Sequence, residues 1–370
     1  MFYYLRLFIF SAFICCFYPA WAQEGKQDTS VTSNENALIS LDNEIENKPT
    51  QRKSFNLGKF FNDVDTNYVY LNRYNLAFML EHSTWYEHYR LGSKEEGRSQ
   101  SLSFSPDPRK KLGIYFGWRW IFLGYTFDIE KDKNKADKTE MELSIYNARF
   151  GFDIYYRKTG SDFKLRSTDG FNLSKPISDQ DFDGMRSKIF GLTGYWVFNH
   201  RQFSHPAVYG HSTYQRKSAG SFMAGFSYSR HSIDFDHTRL PEEVEGDLNS
   251  NLRFNNIKYS DYSLGFGYGY NWVFKKNWIA NLSLLPSVGY KKSEIEGIEY
   301  KKQNWTKDIN FDLVTRAGIT YNDSKYFLGA SLLMHTYDYR NKILNVTNSF
   351  GTLRLYAGFK FWKRKKYRDH

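Results

Sequence analysis

The sequence predicts an all-β fold, a transmembrane antiparallel β-barrel of about twelve strands, and three observations point to it. An apolar stretch with small residues behind it opens the chain. Aromatic residues reach 19%, as 29 Tyr, 32 Phe and 9 Trp, in a chain that is only 41% hydrophobic and 25% charged. Most of the remainder alternates apolar and polar residues with a period of two, the mark of strands with two unlike faces. No segment after residue 22 has the roughly eighteen consecutive apolar residues that a spanning helix needs. A barrel reconciles rings with polarity, because only every second residue faces lipid.

Residues 1–22 read as a cleaved signal peptide. Arg6 is a short basic region, Leu7 to Tyr18 an apolar one, and Ala20-Trp21-Ala22 a small-x-small cleavage site. The mature chain then begins near Gln23, exported toward a Gram-negative-type outer membrane. Cys15 and Cys16 both fall inside that segment, so disulfides and thiolate metal sites drop out. Acylation at either cysteine would need small residues upstream, and Phe13-Ile14 do not fit. The formal charge of +11 is spread among acids along the whole chain, which sets nucleic acid aside as a partner.

Residues 23–54 are rich in Asn, Glu, Thr, Ser and Lys and read as a disordered periplasmic leader. Within it Asp28-Thr29-Ser30-Val31 faintly matches the box by which energised transporters touch their inner-membrane motor. An ordinary linker is the better reading, since no plug domain follows. Residues 55–370 form the barrel domain.

Alternation places strands near 74–91, 100–118, 120–130, 141–157, 162–168, 186–198, 216–233, 257–274, 277–291, 308–321, 325–340 and 350–362. The clearest sets Tyr262, Leu264, Phe266, Tyr268, Tyr270, Trp272 and Phe274 on one face against Ser263, Gly265, Gly267, Gly269 and Asn271 on the other. Those glycines alternate with rings, so they read as room beside large neighbours and not as a phosphate cradle. Short turns are expected near Arg119, at Lys158 to Ser161, at Lys275-Lys276 and at Asn322 to Ser324. Longer loops are expected at 92–99, 131–140, 169–185, 234–256, 292–306 and 341–349, and such unequal connections fit periplasmic turns and extracellular loops. Trp118, Trp120, Trp196, Trp272, Trp278, Tyr321, Tyr326 and Trp362 collect at the short-turn side, where an aromatic girdle would meet the lipid of the outer membrane.

Four runs carry a resemblance: Tyr74-Asn75-Leu76-Ala77-Phe78-Met79-Leu80, then Trp85-Tyr86-Glu87-His88-Tyr89-Arg90-Leu91, then Ser103-Phe104-Ser105-Pro106-Asp107-Pro108, then Gly117-Trp118-Arg119-Trp120-Ile121-Phe122-Leu123-Gly124-Tyr125-Thr126. With these the chain resembles DUF4421, a domain of unknown function common in Bacteroidetes. The resemblance implies an outer-membrane barrel and brings no activity with it. The ending Gly358-Phe359-Lys360-Phe361-Trp362 resembles the signal read by the barrel-insertion machinery, an expected assembly partner. It departs from the pattern because Lys363 to His370 follow the last ring.

Opposite charges are expected in the lumen: Glu81, Glu87, Asp128, Arg149, Asp153, Arg157, Asp312, Arg316 and Arg354. Arginine forks could pair with carboxylates across a bore. The set suits either a narrow pathway for a small solute or a structural core of paired charges. Similar numbers of both signs favour the core, since selective pores usually show rings of one sign. The alternative function is a membrane-embedded lipid hydrolase, with Ser83 or Ser331 near His82 or His335. Adjacent strand residues point to opposite faces, and Ser331 and His335 are about 13 Å apart at strand rise. No catalytic residue is therefore assigned. His200, His205 and His211 have spacings that suit no metal site, and the expectation is an exposed turn around Pro206, with no metal and no cofactor.

Overall fold

A computed structural model describes residues 63–118, 121–129, 138–297, 303–340 and 344–367. The signal peptide, the leader, Arg119, Trp120 and residues 55–62 of the expected barrel domain lie outside the described residues. All described residues belong to one unit, Asn56–His370.

The strands are β1 (Val69–Leu71), β2 (Tyr74–Glu95), β3 (Arg98–Pro106), β4 (Arg109–Trp118), β5 (Ile121–Asp128), β6 (Thr139–Tyr146), β7 (Phe150–Thr159), β8 (Phe163–Asp169) and β9 (Gln180–Phe182). They continue as β10 (Met185–Val197), β11 (Thr213–Gln215), β12 (Ala219–Phe235), β13 (Phe254–Lys275), β14 (Trp278–Gly297), β15 (Gln303–Asn322), β16 (Tyr326–Arg340) and β17 (Leu344–Lys363). Apart from the β1-β11 pair they form one 15-stranded sheet. Its wall runs β5-β4-β2-β17-β16-β15-β14-β13-β12-β10-β7-β6, every neighbour antiparallel. At one end β3 branches from β2, followed by β8 and β9. Among the described residues no ladder joins β5 to β6, so the wall has one open seam.

Right-handed twist curls such a sheet on itself, and side chains that meet across the interior trace the curl. Arg316 on β15 reaches Asp153 on β7 at 2.5 Å, and Arg354 on β17 reaches Glu142 on β6 at 2.5 Å. Near the seam, Lys111 on β4 reaches Glu140 on β6 at 2.5 Å. Period-two alternation sorts the two faces. On β13 Leu264 is 72% exposed and Trp272 56%, while Ser263 and Asn271, each directly before one of them, are buried. Gly267 is obligatory there, because a Cβ would meet the Leu284 carbonyl oxygen at 2.0 Å.

Three placements differ from expectation. The sheet has 15 strands, twelve of them in the wall, and two expected strands break. The run 100–118 divides into β3 and β4 at Asp107-Pro108, where proline lacks the amide that a ladder needs. The run 141–157 divides into β6 and β7 at Asn147, whose side-chain oxygen accepts from the amides of Arg149 at 2.8 Å and Phe150 at 3.0 Å, an Asx turn. The strand expected at 162–168 is β8, which pairs with β3 and β9 outside the wall's path. It follows from strand direction that Lys158 to Ser161 lies at the opposite end from the β4-β5 turn.

Each end of the bore is covered. At the loop end β3, β8 and β9 join the connections 170–184 and 236–253, the latter holding a one-turn helix at Glu242–Gly246. These segments share an apolar core with the strand ends, including Leu102, Phe104, Phe163, Phe182, Phe235 and Val244. At the turn end the connection 198–218 folds inward against residues 65–72. The Asp65 amide donates to the Arg201 carbonyl at 2.8 Å, and β1 pairs with β11.

The second cover overturns the expectation of an exposed Pro206 turn. His205, Pro206 and Ala207 form a buried 3-10 turn. Val208 is fully buried against Gly318, where a Cβ would stand 2.6 Å from Val208 Cγ1. Proline and polar residues mark a turn in sequence, but they do not say whether it points to solvent or into the bore.

Candidate functional site

The bore is filled by side chains in successive levels. Nearest the turn end, His205 carries its Nδ1 2.8 Å from the Tyr195 hydroxyl and its Nε2 2.9 Å from the Ser283 hydroxyl. A neutral imidazole has one donor and one acceptor nitrogen, so one hydroxyl donates and the other accepts. Asn271 donates to the Ser204 carbonyl at 2.9 Å, and Tyr356 donates to the Val208 carbonyl at 3.1 Å. The His211 ring lies on Phe327 and Tyr356 at 4.6 and 4.4 Å. Burial, reinforced by the Arg316 charge, drives the His205 pKa down to about 3, and burial with the Lys360 charge does the same to His211. Both imidazoles are therefore neutral at physiological pH.

Above this level stand the charges. Arg316 donates to Asp153 at 2.5 Å, and its guanidinium lies 4.6 Å from the Tyr195 ring centre. Tyr146 adds a hydrogen bond to Asp153 at 2.8 Å. Arg354 joins Glu142 at 2.5 Å and Glu81 at 3.6 Å. Higher again, Tyr155 and Tyr337 touch hydroxyl to hydroxyl across the bore. Lys291 is buried between Asp312 at 3.4 Å and Asp261 at 3.9 Å, and it donates to the Asp338 carbonyl at 2.9 Å. Glu87 accepts from Thr159 at 2.5 Å, Ser187 at 2.8 Å and Tyr89 at 2.8 Å. Removing one partner of such a buried ion pair costs several kcal/mol, because it leaves the other charge uncompensated.

Most of the expected lumen residues meet here, but among the described residues Glu87 accepts only from hydroxyls, and three more do not behave as a charge-paired lumen requires. Asp128 is half exposed at the loop-end tip of β5, 3.9 Å from Arg109. Arg149 sits in the β6-β7 turn and pairs with Asp63 at 2.8 Å. Arg157 is buried yet meets no carboxylate among the described residues: it donates to the Tyr86 and Gly351 carbonyls at 3.0 and 3.2 Å and stacks 4.5 Å from the Trp85 ring.

The expected site residues also left out Lys291, Asp261, Glu142, Glu140 and Lys111. Lys291 and Asp261 lie in phase with inward serines on their own strands, a signal that alternation carried. Glu142 was hidden, because the Asn147 turn resets the phase and brings the even-numbered residues of β6 inward.

Of the expected girdle, Trp118, Trp196, Trp272, Tyr326 and Trp362 are exposed at the turn end. Trp278 and Tyr321 are register partners there, with rings 5.5 Å apart, and Trp120 lies outside the described residues.

Among the described residues the serines and histidines weighed for hydrolysis form no triad. His82 and Ser83 point to opposite faces, and His335 is packed among Tyr155, Tyr337 and Phe350. Two serine-histidine pairs lie within reach, His205 with Ser283 and His231 with Ser229 at 2.9 Å, but both are buried and neither imidazole has a carboxylate hydrogen-bond partner among the described residues. No group of three metal-binding side chains occurs among the described residues.

Residues 63–361 match the family described as Domain of unknown function (DUF4421). The chain belongs to that family. No curated protein matches this DUF4421 chain. Among solved structures it is similar to the outer membrane protease OmpT of Escherichia coli, with 10% identity and a TM-score of 0.35 over 79% of this chain and 98% of that one. It is also similar to the translocator domain of the autotransporter NalP of Neisseria meningitidis, with 8% identity and a TM-score of 0.31 over 78% and 89%. A third is the outer membrane protein OprG of Pseudomonas aeruginosa, with 11% identity and a TM-score of 0.24 over 79% and 98%.

Proposed function

We propose that this chain is an exported outer-membrane β-barrel with a sealed bore, a rigid structural or interaction platform that holds its ordered loop domain outside the cell. A wall with apolar residues on its outer face and polar ones within supports the membrane reading, as do the aromatics near the turn end. Lipid is then its surrounding partner, and the barrel-insertion machinery is its partner during assembly. The N-terminal segment is its cleaved export signal.

One observation carries the sealed-bore reading. Between the Arg316-Asp153 and Tyr155-Tyr337 levels, the void lined by Glu142, Asp153, Arg157 and His335 among others measures about 10 Å³, room for about one water. The covers at both ends act in the same direction, against the small-solute channel. Current across a planar bilayer holding the purified mature chain is the test. The expected result is insertion without steady conductance, and stable ohmic openings would overturn the reading.

A further inference from the structure

The outward face of the wall changes character at one level. Along β10, β12, β13 and β14 the outward residues Leu192, Tyr228, Tyr262 and Tyr290 are register partners and form an apolar row. Two residues nearer the loop end the partners are Phe190, Arg230, Ser260 and Lys292. The row beyond them is Lys158, Lys188, Ser232, Lys258 and Glu294.

Lys158 and Lys188 are thus direct cross-strand partners, and Arg230 is diagonal to both Lys188 and Lys258. Direct partners lie about 5 Å apart and diagonal ones about 7–8 Å, and like charges at such positions repel. Lys188, Arg230 and Lys258 are exposed, and none has an ion pair among the described residues. Among the described side chains the acids on this face are Glu294, opposite Lys258, and Asp234, opposite Arg186 one row further out. A contiguous cationic cluster directly above an apolar row complements a ligand whose anionic head and apolar tails are divided at the same level.

We infer that Lys188, Arg230 and Lys258, with Lys158 beside them, bind the phosphate groups of an outer-leaflet phosphorylated glycolipid whose acyl chains lie along Leu192, Tyr228 and Tyr262. This inference rests on the membrane reading above. Lysine and arginine at a lipid surface each add to attraction for anionic heads, and three neighbouring cations make the attraction local to one side of the barrel. The bound lipid in turn relieves the repulsion within the cluster.

The test reconstitutes the mature full chain in phosphatidylcholine nanodiscs containing diphosphoryl lipid A or its dephosphorylated form, and measures retained lipid by native mass spectrometry. The diphosphoryl form is expected to be retained preferentially. In K188Q/R230Q/K258Q its affinity should fall by about a hundredfold, while K188R/R230K/K258R keeps it. Heat-modifiable gel migration shows that each variant is a folded barrel.

Equal retention of the two lipids, or an unchanged glutamine variant, would overturn the inference. Displacement of the lipid by millimolar inorganic phosphate would overturn it too, by identifying a soluble-anion site. Failure of the chain to float with vesicles overturns the membrane reading and this inference together; flotation without phosphate-dependent retention overturns this inference alone.

Discussion

The two ends of the bore are closed by different chemistry. At the loop end the cover is an apolar core, with Phe104 fully buried and its ring 5.0 Å from Phe182 and 5.7 Å from Phe235. At the turn end the cover is largely a hydrogen-bonded insertion, in which His205, Ser204 and the Val208 carbonyl meet side chains of the wall. Burial of apolar area involves no titrating group, whereas a seal built on buried imidazoles depends on both nitrogens staying matched. The loop-end cover is therefore the permanent one, and the turn-end cover is the one that solution conditions can reach.

The largest expected effect comes from breaking the apolar cover. Phe104→Ala removes a ring from the centre of that core and should cost about 3–5 kcal/mol. Guanidinium unfolding followed by tryptophan fluorescence would measure the loss. Limited proteolysis should then cut within 170–184 or 236–253 and leave 198–218 intact. Cleavage at both ends alike would show that the covers are not independent.

How far the sequence disclosed these two covers follows from what alternation can and cannot carry. Wall positions such as Asp153, Arg316 and Arg354 declare their inward direction because the strand fixes it at every second residue. Glu142 did not, since a single Asx turn at Asn147 reversed the phase in the middle of an apparently continuous strand. Strand β8 alternates like a wall strand but pairs with β3, and which edge it joins depends on contacts distant in sequence. The insertion around His205 was the least legible. A histidine with proline after it reads as a surface turn, and only its contacts with Tyr195 and Ser283, ten and seventy-eight residues away, place it inside.

Acid should separate the covers next. His205 has its pKa lowered from the ordinary 6.5 to about 3. The unfolded chain therefore binds a proton that the folded one refuses between those values. Stability is fully present above pH 6.5 and is lost as pH falls toward 3, by about 2 kcal/mol at pH 5 for one such group. The unfolding midpoint should fall from pH 7.5 to pH 5, with cleavage within 198–218 appearing first. His205→Asn removes the titrating group, so its midpoint should start lower and change less over that range. An equal pH slope in the variant would place the dependence elsewhere, and His211 is then the next group to replace.

The smallest effect is expected on the rim of the loop-end cover, where Asp107 lies 2.6 Å from Lys164 and 2.9 Å from Arg166, and Arg166 also reaches Asp179 at 2.5 Å. The hydrogen bond from Lys164, aided by the one from Arg166, holds the Asp107 carboxyl below its ordinary 3.8 despite some burial. A depressed carboxylate contributes stability that is present above that value and is lost as pH falls below it, so this network is intact at the pH where the imidazole seal weakens. The two carboxylates are largely exposed and Arg166 partly so, and Arg166→Gln should cost less than about 1 kcal/mol, shrinking further in molar salt. A loss that persisted in high salt would mean that Arg166 supports the apolar cover through its hydrogen bond to Ser105 at 2.8 Å, and that the two modes of closure meet at this residue.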